Sequence, residues 1–143
     1  MAIHDETTKI HSDLSARDPH TMGALQLAFI GDTVYDLFAR TLVVHRSGGT
    51  VHALHMAAAK LACAAGQAAA YRRIEPLLTE EEKSVFRRGR NAHSGTMPKN
   101  ASVADYRTAT GFETLIGFLY LSGSDARLGE LMKHALTTNE GEE

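Results

Sequence analysis

The chain has 143 residues, 43% of them hydrophobic, which is enough for one globular core and too many for an intrinsically disordered protein. Its net charge of −2 excludes a uniformly basic nucleic-acid-binding protein, so a surface for nucleic acid would have to be a local patch. One cysteine excludes an intramolecular disulfide, and no apolar run approaches the roughly 20 residues of a membrane span. We therefore expect a cytoplasmic protein without a membrane partner.

The two ends of the chain are polar. We assign residues 1–18 to a flexible N-terminal arm, which carries no signal-peptide pattern, and residues 139–143 to a flexible tail. Residues 19–138 contain no internal repeat and no interdomain linker. They are predicted to form a single folded domain.

The first half of this domain predicts two long helices. Apolar residues repeat every three to four positions from about Thr21 to Val44, which is typical of a helix with one buried face. Thr50 is a candidate N-cap for a second, alanine-rich helix that runs to about Ile74, where Pro76 stops it. The small side chains of this second helix favour close packing against a neighbour.

Capping patterns begin the helices of the second half. Thr79–Glu82 reads as a capping box for a third helix, and Ser102–Asp105 has the same pattern before a fourth, which ends at Gly123. Between them, residues 91–101 are too rich in Gly, Pro, Ser and Asn for a helix. A last amphipathic helix is predicted to begin near Asp125. The fold class is therefore all-α, with five main helices.

Two carboxylates stand out because each lies inside an apolar helical segment. Asp32 is in the run Phe29–Asp36, and Glu113 is in the run Thr110–Gly117. A carboxylate is costly to bury unless it is paired or binds something. The small or hydroxyl-bearing neighbours leave room for water, which suits Mg²⁺, an ion that keeps several waters and takes one or two carboxylates. The alternative left open by the pattern is a separate local ion pair or cap for each acid.

Basic and amide side chains gather around the predicted loop. They suit binding to phosphate and 2′-OH groups of RNA, and they are Arg87, Arg88, Arg90, Asn91, Lys99 and Asn100. The alternative is a solvated helix end, where cations offset the helix dipole. An acid pair together with such a segment favours a nuclease, because a nuclease needs both.

Two weaker candidates lie in the alanine-rich helix. His52 and His55 are three residues apart and could share a metal, but no third ligand follows at a zinc-like spacing. Cys63 is interpreted as a small core residue.

The acidic segments resemble the two signatures of ribonuclease III domains. Phe29–Val34 is similar to Phe-Leu-Gly-Asp-Ala-Val, and Phe112–Gly117 contains a close match to Glu-Ala-Leu-Ile-Gly. The run Arg88–Gly95, followed by Pro98–Asn100, is similar to Mini-ribonuclease III, the short branch of this family without a double-stranded-RNA-binding domain. The resemblance covers roughly residues 25–136.

This resemblance implies an all-helical ribonuclease III fold that forms a homodimer. It implies Mg²⁺-dependent cleavage of double-stranded RNA, with 5′-phosphate and 3′-hydroxyl ends, in the maturation of the 23S ribosomal RNA precursor, and it leaves room for a ribosomal protein helper. By position, Asp32 and Glu113 would be the catalytic acids that hold the metal. The implied RNA surface includes Arg88, Arg90, Asn91, Lys99 and Asn100.

The chain departs from full-length ribonuclease III at two acidic positions. Ala28 and Thr110 stand where that enzyme has a glutamate and an aspartate, a reduced set that the Mini-ribonuclease III branch shares. We therefore expect one largely water-coordinated Mg²⁺. Ala65 replaces an expected lysine, which removes one phosphate contact. The missing acids support the alternative of a non-catalytic RNA-binding or ribosome-assembly module, and a plain helical dimerisation domain is a third, weaker alternative.

Overall fold

A computed structural model describes residues 3–10, 17–46, 48–92 and 102–137. These residues form seven α-helices and two short 3₁₀ turns, at Pro19–Thr21 and Glu75–Leu77. The helices are α1 (Ile3–Lys9), α2 (Ala24–Arg46), α3 (Val51–Ala62), α4 (Ala64–Ile74), α5 (Glu80–Arg90), α6 (Val103–Leu121) and α7 (Asp125–Leu136). No strand occurs within these ranges, so the all-α prediction is confirmed.

Helix α6 lies at the centre of the fold. It packs against α2, α4, α5 and α7, and nearly every side chain from residue 109 to 119 is buried. Aromatic rings fill the space around it. Tyr71 stacks on Phe86 with ring centroids 3.9 Å apart, and Tyr35 meets Phe112 edge-on at 5.3 Å. Because α6 is held from several sides, it is a rigid platform for the residues that it carries.

The predicted capping box at Thr79 is present. The Thr79 hydroxyl accepts a hydrogen bond from the backbone N–H of Glu82 at 3.1 Å, and the Glu82 carboxylate accepts one from the backbone N–H of Thr79 at 2.9 Å. Arg127 of α7 also donates to both oxygens of Glu82, at 2.8 Å each. The start of α5 is therefore tied to α7 by a largely buried, bidentate ion pair.

The single helix predicted from Thr50 to Ile74 is wrong, because the chain breaks it at Cys63 into α3 and α4. Cys63 has an extended backbone, and its Sγ atom accepts a hydrogen bond from the backbone N–H of Gly66 at 3.4 Å. Interpreting Cys63 as a core residue is also wrong, since the side chain is exposed. As the N-cap of α4, Cys63 lies at a helix boundary and not on the packed face of a helix.

The assigned N-terminal arm contains helix α1. The Thr7 hydroxyl forms a hydrogen bond with the Tyr120 hydroxyl, and the His4 ring meets the Tyr120 ring edge-on at 5.2 Å. Part of the arm is therefore helical and contacts α6. The tail, residues 139–143, lies outside the described residues. In the ranges that the structure describes, no helix combines the length and the apolar character needed to cross a membrane.

Candidate active site

Helices α2 and α6 cross with their backbones in contact, and this crossing builds the site. A Cβ atom on Gly31 would lie 1.8 Å from the carbonyl oxygen of Glu113, and one on Gly117 would lie 1.9 Å from the carbonyl oxygen of Leu27. Only glycine allows such an approach at either position. Gly31 directly precedes Asp32, so the close crossing brings Asp32 beside Glu113.

The Asp32 carboxyl is a close neighbour of the Glu113 carboxyl and interacts with it electrostatically. Their surroundings differ, because Asp32 is exposed to solvent whereas Glu113 is largely buried. Burial, together with the neighbouring Asp32 carboxyl, raises the pKa of Glu113 to about 8. Without a cation, Glu113 therefore holds its proton more tightly than an ordinary glutamate does. A divalent cation would compete with that proton for the same oxygens.

Gln67 of α4 is buried and contacts Glu113. Its Nε2 atom donates to Glu113 Oε2 at 3.1 Å and to the carbonyl oxygen of Ala62 at 3.1 Å. The N–H that faces Glu113 opposes the rise in the pKa of this carboxyl, because it stabilises the charged form. The sequence pattern does not point to Gln67. The one feature of the sequence that could have indicated Gln67 is that a long polar residue lies among the small residues of α4.

The donor set of this site fits a hard cation that binds few protein ligands. It offers two carboxylates, and no group of three His, Cys, Asp or Glu side chains able to hold a metal occurs in the described part of the chain. No zinc-like group that includes His52 and His55 therefore occurs within these ranges, and two carboxylates suit a hard divalent cation that retains waters. The Thr110 hydroxyl, at one of the two missing acidic positions, donates to the carbonyl oxygen of Tyr106 at 3.0 Å and carries no charge that could replace a carboxylate.

The predicted basic residues that the structure describes lie at the end of α5. Arg87, Arg88, Arg90 and Asn91 are all exposed. Arg88 also has a structural contact, because its Nη2 atom donates to the carbonyl oxygen of Met22 at 2.8 Å. Lys99 and Asn100 lie outside the described residues. The α5 end is held close to α6, where a Cβ atom on Gly89 would lie 2.2 Å from Thr114 Oγ1.

Comparison with known proteins identifies the family. The ribonuclease III domain model matches residues 25–124. A Mini-ribonuclease 3 of Clostridium tetani is 44% identical over 91% of this chain and 91% of its own length, and one of Thermoanaerobacter is 47% identical over 79% of this chain and 80% of its own. A crystal structure of a Fusobacterium nucleatum protein superposes with a TM-score of 0.73 at 27% identity and covers 82% of this chain and 93% of that one.

The sequence signatures, the fold and the relatives therefore all indicate the same family. Enzymes of this family generally use a divalent metal ion, and the acid pair offers oxygens of the kind such an ion prefers. The resemblance seen in the sequence is confirmed. The chain belongs to the ribonuclease III domain family, in its Mini-ribonuclease 3 branch, and is an endoribonuclease.

Proposed function

We propose that this endoribonuclease hydrolyses double-stranded RNA in a reaction that requires Mg²⁺, with Asp32 and Glu113 as the catalytic and metal-holding acids. The observation that carries this proposal is the close crossing of α2 and α6 at Gly31 and Glu113, which makes the two carboxyl groups neighbours that interact electrostatically. Two acids 81 positions apart share one place, and one of them is open to solvent.

The exposed acid and the buried acid have different tasks. Asp32 reaches the surface, where the sugar-phosphate backbone of a duplex can approach, whereas the half-buried Glu113 would serve as the second ligand of the ion. Bound there, Mg²⁺ would supply an activated water and neutralise charge on the phosphate in the transition state. Products with 5′-phosphate and 3′-hydroxyl ends are expected.

The end of α5 supports a role in RNA binding. Arg87, Arg90 and Asn91 present charged and amide groups to solvent, and such groups contact phosphates without reading bases. We include Lys99 and Asn100, which lie outside the described residues, in this surface on the basis of the sequence alone. A-form RNA would be recognised by shape and 2′-OH contacts, so binding should be strongly salt-dependent.

A second copy of this chain is the proposed partner at the outer face of α2. Apolar side chains are unusually open on this helix: Phe29 is 83% exposed, Leu37 55% and Val44 60%. Leu37 also lines an apolar groove of about 930 Å³ between α1, α2 and α7. Burying these side chains in a homodimer would remove a large apolar surface from water. Since Phe29 lies one turn before Asp32, dimerisation would set two acid pairs across one duplex, one for each strand.

The proposed physiological substrate is the 23S ribosomal RNA precursor, and a ribosomal protein helper is part of this proposal. Both come from the likeness to Mini-ribonuclease III. A base-paired stem that joins the two ends of such a precursor is a duplex of the kind that two acid pairs could cut on both strands.

The test compares cleavage of a base-paired precursor stem with cleavage of a single strand of the same sequence, with Mg²⁺ and with a chelator. Duplex cleavage should require Mg²⁺, and Asp32→Asn and Glu113→Gln should each lower its rate by about 100-fold or more. Asp36→Asn is the matched control, because Asp36 lies one turn further along α2 and pairs with Arg40 at 2.9 Å. Duplex binding without cleavage would instead favour the non-catalytic RNA-binding alternative.

A further inference from the structure

We infer that Gln67 is a positioning residue that holds the Glu113 carboxylate in place for the cation. This inference rests on the proposed metal site. The Gln67 side chain is 3% exposed and reaches Glu113 from the side opposite to solvent. It would not touch the RNA, so its effect has to pass through Glu113.

The orientation of the Gln67 amide is determined by the break between α3 and α4. Because α3 ends at Ala62, the carbonyl oxygen of that residue accepts from Gln67 Nε2 at 3.1 Å. Turning the amide around would place its oxygen against the Ala62 oxygen, where two acceptors repel each other. The same nitrogen donates to Glu113 Oε2 at 3.1 Å. The side of the Gln67 amide that faces Glu113 Oε2 is therefore the N–H donor.

This contact restrains a side chain that would otherwise have several rotamers. A glutamate has three rotatable bonds, and a carboxylate that binds a metal is pre-organised when one of its oxygens is held by a second hydrogen bond. The α3–α4 break is itself held in place, because the Tyr35 hydroxyl donates to the Leu61 carbonyl oxygen at 2.8 Å. Glu113 is thus held by Gln67, and the α3–α4 break that orients Gln67 is held by a buried tyrosine of α2, the helix that carries Asp32.

Core packing does not explain a glutamine at this position. Gln67 Oε1 is buried and accepts no hydrogen bond from the described residues, and a buried acceptor without a partner destabilises a fold. An apolar side chain of the same length would fill the space without that penalty. What glutamine provides and an apolar side chain lacks is an N–H group that donates a hydrogen bond to Glu113.

The experiment uses the full chain and Gln67→Met, which keeps the length of the side chain and removes the donor. Mn²⁺ binding to the protein without RNA is measured by electron paramagnetic resonance, and the Mg²⁺ concentration that half-saturates duplex cleavage is measured separately. Loss of a residue that orients a metal ligand typically weakens affinity by about 10- to 100-fold. We expect both the Mn²⁺ dissociation constant and the half-saturating Mg²⁺ concentration to rise by about tenfold or more, whereas kcat at saturating Mg²⁺ changes much less.

Thr114→Val is the matched control. Thr114 follows Glu113 on α6 and is buried, and its single hydroxyl proton lies within reach of the carbonyl oxygens of Thr110 at 2.7 Å and Ala24 at 3.2 Å. Its replacement should lower the denaturant midpoint without changing Mn²⁺ affinity. If Gln67→Met does not fold, Gln67→Asn provides the same test, since its amide is one methylene too short to span Ala62 and Glu113.

Unchanged Mn²⁺ affinity in a folded Gln67 variant would overturn the inference, even if the wild-type protein cleaves duplex RNA. Weakened Mn²⁺ binding would support it, even if the wild-type protein cleaves no duplex and the proposed function fails. A variant that loses stability as Thr114→Val does, with normal Mn²⁺ affinity, would show a merely structural role.

Discussion

Replacing Glu113 with glutamine should make the metal-free protein more stable in alkaline solution. The folded protein raises the pKa of Glu113 from 4.5 to about 8, chiefly because the carboxyl is buried. Between these two values the folded state holds a proton that the unfolded chain has released. The free energy of unfolding therefore falls as the pH rises through this window and levels off above pH 8. Glutamine has no proton to lose and removes this dependence.

The size of the effect follows from the same shift. A pKa that moves from 4.5 to about 8 corresponds to about 5 kcal/mol at most, at about 1.4 kcal/mol for each pH unit. Glu113 is not fully enclosed, and solvent near the Asp32 side screens part of this energy. We therefore expect the wild-type protein to lose about 1–3 kcal/mol relative to Glu113→Gln between pH 5 and pH 9.

The assay is urea unfolding of the metal-free protein, followed by circular dichroism at a fixed protein concentration from pH 5 to pH 9. Asp36→Asn is the control and should follow the wild-type curve, because Asp36 lies near the surface beside Arg40. Saturating Mg²⁺ should restore wild-type stability at pH 9, by about 2.7 kcal/mol at 100 times the dissociation constant. Parallel curves for the wild type and Glu113→Gln would refute the reasoning that Glu113 holds the proton.

Three further changes test the helix crossing, the apolar face and the basic surface. Gly31→Ala should destabilise the protein by about 3 kcal/mol or more, because its Cβ atom would lie 1.8 Å from a carbonyl oxygen; Gly129→Ala, with open space around it, should raise the free energy of unfolding by up to about 1 kcal/mol. Phe29→Ser should shift the protein from dimer to monomer in sedimentation. Leu77→Ser, a change at another exposed apolar site, should leave the dimer intact. Equal sedimentation of both variants would contradict the proposed interface. Arg87→Ala should weaken duplex binding for every sequence and lower the slope of log affinity against log salt by about one, as measured by fluorescence anisotropy; an unchanged slope would place Arg87 away from the RNA.

Much of the local structure can be predicted from the sequence, because its causes lie within a few residues. The Thr79 capping box needs only a hydroxyl and a carboxylate three residues apart, and both hydrogen bonds are present. The two acids are visible as charges inside apolar segments. The break at Cys63 was not predicted, because alanines on both sides favour helix and the cap is a thiol, a weak acceptor seldom found at that position.

The sequence by itself determined the family and the all-α class and singled out Asp32 and Glu113 as candidate acids, since these depend on residue types at short spacing. Only the tertiary structure decided that Gln67, 46 positions before Glu113, donates to that acid, and that Arg88 is tied to the carbonyl oxygen of Met22. It also showed why Gly31 must be glycine, since the reason is a backbone atom of another helix. Contacts between residues far apart in the chain depend on how helices cross, and helix periodicity does not specify the crossing.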